Sequence, residues 1–171
     1  MLNEENINNY DSSSVDNSSD NNEADLPMAR PEGQFMKSIS LDTPNSPEVF
    51  SIMKNPPEVD VQCNIDSRII DEQNGIYEVL LDIKTEARIS DENSPDGKHI
   101  AFVCKLKYCG VFTIRNLTQD QLKQALLVEA PTLLFPFARR IIATATTDAG
   151  FPPLMLAPIN FAQKYTESQK D

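Results

Sequence analysis

Ile76-Tyr77-Glu78-Val79-Leu80-Leu81-Asp82-Ile83-Lys84-Thr85-Glu86-Ala87-Arg88-Ile89 alternates with a period of two. Tyr77, Val79, Leu81, Ile83, Thr85, Ala87 and Ile89 fall on one face, and Glu78, Asp82, Lys84, Glu86 and Arg88 on the other. Successive side chains of a strand point to opposite sides, so this stretch specifies an antiparallel strand with one wet face.

The neighbouring segments follow the same rule. Upstream, Val59, Val61, Cys63 and Ile65 alternate with Glu58, Asp60, Gln62 and Asn64, and Ser38 to Leu41 reads as a short first strand. Pro44, Pro47, Pro56 and Pro57 break regular structure between them. Downstream, Ser94-Pro95-Asp96-Gly97 is a turn. Ile100, Phe102, Cys104, Leu106 and Tyr108 share one side of the next strand. Cys109-Gly110 is expected to interrupt it as a bulge or bend, with Val111 to Ile114 continuing beyond. Taken in sequence order, the four strands predict an antiparallel meander with one apolar face. Helices must cover that face, which makes the fold α+β.

Thr118 and Gln121 form a capping-box signature, followed by Leu122, Ala125 and Leu126 at helical spacing. Pro131 ends that helix or starts the next. A second helix is expected over Pro131 to Asp148, with Gly150 past its end and Leu134, Phe137, Ile141, Ala145 and Asp148 near one face. Asn160 can cap a short helix from Phe161. Between them runs Phe151-Pro152-Pro153-Leu154-Met155-Leu156-Ala157-Pro158-Ile159. Loops normally carry polar residues over the surface. One this apolar fills its own core, docks on another subunit, or holds apolar ligands.

The chain has 171 residues, room for one domain, and a net charge of −11. That charge argues against nucleic acid and against an anionic membrane surface as partners. No apolar run is long enough to span a bilayer, and the acidic N-terminus has no apolar core of a signal peptide. Three irregularly spaced cysteines fit a reducing compartment, and a cytoplasmic location is expected. Residues 1–36 form an acidic extension expected to be disordered: Asn3 to Asp25 holds seven carboxylates and no Lys or Arg. The folded domain is expected from Lys37, giving 37–171.

Enzyme chemistry finds little support. His99, the one histidine, lies five residues from Cys104, which puts the two side chains on opposite faces of a strand. Cys63, Cys104, Cys109 and His99 lack metal-ligand spacing, and no phosphate-cradling glycine loop occurs. Neither cofactor nor metal is expected.

Several stretches resemble the bacterial protein-export chaperone family SecB: Leu-Phe-Pro-Phe-Ala-Arg at Leu134 to Arg139, and Gly-Phe-Pro-Pro-Leu-Met-Leu-Ala-Pro-Ile-Asn-Phe at Gly150 to Phe161. Thr43 to Phe50, Pro57 to Val59, Tyr77 to Val79 and Cys109-Gly-Val-Phe-Thr-Ile114 add to the match, which keeps order and spacing from about Lys37 to Tyr165. The resemblance implies a four-stranded antiparallel sheet with two main helices per subunit, assembled as a dimer of dimers. It implies a homotetrameric holdase without ATP or cofactor, which binds unfolded secretory precursors and passes them to the SecA motor.

The family's client grooves run between the helices and two loops. On this chain they would draw on Phe50, Ile52 and Met53 from the first loop. Phe137, Phe151, Leu154, Met155 and Leu156 would come from the helix and the second loop. Several of these could equally pack the core. The family's acidic docking face for the motor is matched in part: Asp42 keeps an acid and Val103 an apolar residue, but Ser38 and Lys105 stand where the pattern has acids. Glu78, Asp82 and Glu86 are alternative carboxylates for that contact, unless they form only a solvated sheet face. A SecB-like chaperone dedicated to one partner, such as a toxin–antitoxin pair, and a non-chaperone scaffold remain the competing readings.

Overall fold

A computed structural model describes residues 26–90 and 97–168. The turn expected at Ser94 to Asp96 and the acidic run to Asp25 lie outside the described residues.

The strands are β1 (Met28–Asp42), β2 (Glu58–Asp71), β3 (Ile76–Ser90) and β4 (Lys98–Arg115), with a short helix α1 (Glu48–Ile52) between β1 and β2. All neighbouring pairs are antiparallel, and the order across the sheet is β1-β4-β3-β2. This corrects the simple meander. Strands β2, β3 and β4 follow one another through short connections, but β1 lies beside β4. The chain between β1 and β2 therefore crosses from one edge of the sheet to the other, in a Greek-key manner. Alternation along a strand specifies its faces and is silent about its neighbours.

Strand β1 begins at Met28, well ahead of the expected Ser38. Two bulges hide the extension from a period-two reading: its register on β4 shifts between Pro31 and Gly33 and again between Met36 and Ser38. The interruption expected at Cys109-Gly110 is absent. Strand β4 pairs through both residues with β1 and with β3, and its irregularity lies opposite the Ala87/Arg88 step. Gly110 serves a different purpose. A Cβ there would stand 2.7 Å from Phe112 Cε2 and 2.8 Å from Leu134 Cδ2, so its missing side chain lets a helix approach the strand.

The helical layer starts at α2 (Gln119–Gln124), where Thr118 Oγ1 accepts from Gln121 N and the Gln121 side chain accepts from Thr118 N, as the capping box requires. It continues through a π-helical turn (Ala125–Glu129) into α3 (Ala130–Asp148) without leaving helical backbone angles. Pro131 sits in the first turn of α3, the second of the two expected alternatives, although the backbone stays helical through the π turn ahead of it. Its ring would clash with the carbonyl four residues back, and the wider π turn just ahead of it gives the ring room.

Leu134, Ala138, Ile142 and Thr146, at i, i+4, i+8 and i+12, are fully buried on the sheet. The expected stripe of Leu134, Phe137, Ile141, Ala145 and Asp148 is corrected: Phe137 and Asp148 are exposed. The core is the β3–β4 face, with Leu81, Ile83, Phe102 and Leu106 buried under α3. Helix α4 (Phe161–Ser168) closes one side. Asn160 Oδ1 caps it by accepting from Gln163 N, and Phe161 packs edge-on against Phe135 at 5.9 Å. Lys164 Nζ donates to the Cys63 carbonyl, which ties α4 to β2.

Candidate functional site

The connector from α3 to α4 takes its shape from its first residues. Gly150, at φ 88°, turns the chain; its N–H donates to Thr147 O, and Phe151 N donates to Thr146 O. This pair of bonds is a Schellman cap, in which the residue after the glycine folds back onto the helix. Phe151 is accordingly buried, 3 % exposed, with its ring 5.0 Å from Phe102 and 4.9 Å from Phe50. Further on, the buried Thr146 Oγ1 accepts from Leu154 N at 2.9 Å while donating back to Ile142 O, so one hydroxyl pins the connector to the helix. Leu156 then dips into the core at 3 % exposure, and Met155 between them stands out at 59 %.

An apolar cleft of about 620 Å³ opens between this connector and α3. Pro136, Arg139, Ala143 and Thr147 form the helix wall, and Pro153, Met155 and Pro158 form the connector wall, with Phe135 nearby. Prolines hold the second wall extended, because their φ is fixed and they donate no hydrogen bond. Arg139 Nε is buried and has no hydrogen-bond partner among the described residues, and Arg140, Thr144 and Asp148 add polar groups to the helix side of the cleft.

Of the eight residues expected to hold ligand, Met155 alone lines this cleft. Phe151 and Leu156 belong to the core, because the Schellman cap and the pinned Leu154 turn them inward. Ile52, Met53 and Leu154 are partly buried against that core. Phe50 and Phe137 remain open at 41 % and 39 %, outside the cleft. Sequence reading missed Pro136, Ala143 and Thr147, whose helical spacing on the side away from Ala138 and Ile142 was the available signal.

The other face of the sheet is uncovered and polar. Strand register places Asp42, Val103, Glu86 and Asp60 in one row across all four strands. The adjacent row is Ser40, Lys105, Lys84 and Gln62, and the next holds Ser38, Lys107, Asp82 and Asn64. Glu86 is paired with Arg88 at 2.6 Å and Lys84 at 3.6 Å, and Asp82 with Lys107 at 3.6 Å. Asp42 and Asp60 make no ion pair among the described residues.

Glu78 departs from the expectation of a solvated acid. It is 5 % exposed, and its carboxylate accepts from Lys37 Nζ at 2.8 Å, from Arg68 Nη2 at 2.5 Å and from Cys109 Sγ at 3.4 Å. Lys37 and Arg68 beside it hold the Glu78 carboxyl down at about 2. Burial, with Glu78 alongside, pushes the Cys109 thiol up to about 11, and burial alone does the same to Cys104. Such thiols carry almost no thiolate at neutral pH and are inert packing groups.

Comparison with known proteins adds an independent line. The family model described as "Preprotein translocase subunit SecB" matches residues 22–171. A protein of Neorickettsia sennetsu named "Protein-export protein SecB" is 85% identical over 150 residues, covering 88% of this chain and 92% of the relative. One of the same name from Anaplasma phagocytophilum is 44% identical over 151 residues, covering 81% and 91%. Among solved structures, a Mycobacterium tuberculosis SecB-like chaperone in complex with an antitoxin peptide superposes with a TM-score of 0.60 at 12% identity, covering 77% of this chain and 90% of the other. At that identity the likeness speaks for the fold alone.

Proposed function

The chain belongs to the SecB family, and on that premise we propose that it is an ATP-independent holdase that keeps unfolded precursor proteins in solution and delivers them to the SecA motor for export. The observation that carries this reading is the cleft between α3 and the connector. It is largely apolar, edged by prolines and bordered by an exposed methionine. An unfolded chain offers apolar side chains in no fixed order, and a methionine wall fits many of them because its thioether chain is flexible and polarizable. Binding a non-native chain removes it from the aggregating pool by mass action, with no nucleotide or cofactor required.

Client contact is assigned to Met155 in the cleft and to the exposed rings of Phe50 and Phe137 at its surroundings. Motor docking is assigned to the Asp42, Val103, Glu86 and Asp60 row, where two carboxylates stand unpaired on a flat open face. Within that row Glu86 is already paired with Arg88 and Lys84, and Asp82 in the next-but-one row with Lys107, so both are weaker candidates than Asp42 and Asp60. Glu78 is spent on Lys37 and Arg68. Assembly as a homotetramer, a dimer of dimers, would cover the outer edge of β1 and the outer face of α3. A cytoplasmic site of action fits this role.

The test is a titration with a reduced, unfolded secretory precursor. The protein at a few-fold excess should suppress light scattering from precursor aggregation, and purified SecA should bind the complex. Aggregation that proceeds unchanged at excess protein would refute the holdase assignment.

A further inference from the structure

The uncovered face of the sheet carries a positive belt across its middle. Register sets Lys84 of β3 directly opposite Lys105 of β4, between Ser40 of β1 and Gln62 of β2, so that row holds two cations and no anion. Like charges directly opposite each other weaken a strand pair. Lys107, in the next row, adds a third ammonium. Lys84 is partly answered by Glu86 and Lys107 by Asp82, each at 3.6 Å. Lys105 is exposed and makes no ion pair with any described residue.

The matching counter-charge lies on the same chain. Residues 3–25 hold seven carboxylates and no Lys or Arg. They lead into β1, which starts at Met28 opposite Arg115, at the far end of the sheet from the belt. Ser40, beside Lys105, lies twelve residues further along β1, about 40 Å away. A chain doubling back over the face in extended form spans that distance in a similar number of residues. Asp16 then reaches the belt, with Asp11, Glu5 and Glu4 to spare.

We propose that residues 4–16 lie back across the sheet of their own chain, with their carboxylates against Lys105, Lys84 and Lys107. The tether decides between this occupant and a separate acidic partner. Exposed ion pairs are individually weak, so a few of them hold only what is already concentrated nearby. A short connection supplies a local concentration on the order of millimolar, which a free partner lacks. Docking reverses the sign of the belt and makes it continuous with Asp42 and Asp60 in the adjacent row. The contact goes beyond the export reading and stands without it.

The experiment places a nitroxide on Ser12→Cys in the full chain and reads amide signals by nuclear magnetic resonance. Cys63, Cys104 and Cys109 are buried, so the new thiol takes the label. Signals of Lys84, Lys105 and Lys107 should fall by about half or more relative to those of α4. Salt at 1 M shortens the screening length to about 3 Å and should restore them. The K84Q/K105Q chain should lose the attenuation at low salt, whereas Lys123→Gln, an exposed cation on α2, should keep it. Isotope-labelled chains without nitroxide, refolded together with unlabelled tagged chains, should show no attenuation.

Undiminished signals in the tagged chain would overturn the proposal, and so would attenuation indifferent to salt. Equal loss in Lys123→Gln and in K84Q/K105Q would do the same. Attenuation passed from tagged to untagged chains would assign the segment to another copy and overturn the intramolecular contact. No arm involves a precursor or the motor, so failure here leaves the holdase assignment where it stands.

Discussion

Lys37 of β1 donates to Glu78 of β3 across the intervening strand β4, at 2.8 Å, and it can do so because it is the extra residue of a bulge. Arg68 reaches the same carboxylate from β2 on the other side. With Cys109 of β4 donating as well, one buried carboxylate fastens all four strands.

Glu78 should make the sheet sensitive to acid. Its folded-state pKa of about 2 lies below the ordinary glutamate value of 4.5, so the carboxylate's contribution is present above 4.5 and is lost as pH falls towards 2. The Lys37 and Arg68 side chains are themselves 46 % and 66 % exposed, which screens the pair, so the contribution is on the order of 2 kcal/mol. Urea titrations of the original chain and Glu78→Gln should differ by about that amount at pH 7 and converge near pH 2.

Thr146→Val keeps the shape of the side chain and removes the acceptor for Leu154 N. A buried N–H left unpaired costs about 1–3 kcal/mol, and the connector should loosen first. Hydrogen exchange at the Leu154 amide should accelerate more than exchange in the β3–β4 ladder, and precursor binding should weaken along with it.

Met155 and Leu156 are adjacent and should behave oppositely. Met155→Glu places a charge in the cleft wall and should cut precursor capture several-fold with little change in thermal midpoint. Leu156→Ala empties a buried site and should cost about 2–5 kcal/mol of stability. Light-scattering assays beside thermal unfolding separate the two effects.

Gly110→Ala should be poorly tolerated. The new methyl would meet the Phe112 ring and the Leu134 side chain at under 3 Å, and pushing them apart costs about 1–3 kcal/mol. A lowered unfolding midpoint is the readout.

Much of the architecture was legible because its signals are local. The alternation of Ile76 to Ile89, the Thr118–Gln121 box and Gly150 past a helix end each depend on residues a few positions apart, and each is found where the sequence puts it. What could not be read depends on distant partners. The position of β1 beside β4 is a pairing between the two ends of the sheet sequence. Bulges at Glu32 and Lys37 disguise half of that strand as loop.

Phe151 and Leu156 look like ligand-binding residues in a greasy loop until the Thr146 hydroxyl and the Schellman cap are seen to turn them inward. Glu78 looks like any strand carboxylate until Lys37 and Arg68 close over it. The cleft itself was partly legible, through its prolines and Met155. Its helix wall was not, because the π turn at Ala125 to Glu129 and the packing at Gly110 decide which side of α3 meets the sheet.

The place of β1 has a consequence for biogenesis. Met28 pairs with Arg115, and Asp42 with Val103, so the earliest strand to leave the ribosome has no hydrogen-bonding mate within this chain until the latest one follows. Throughout that interval Phe35 and Met36 travel on a lone ribbon, and long-range closure of this kind is slow and prone to misassociation. Closure of this sheet therefore waits on its last strand, and the chain should fold more slowly than one whose strands pair in sequence order.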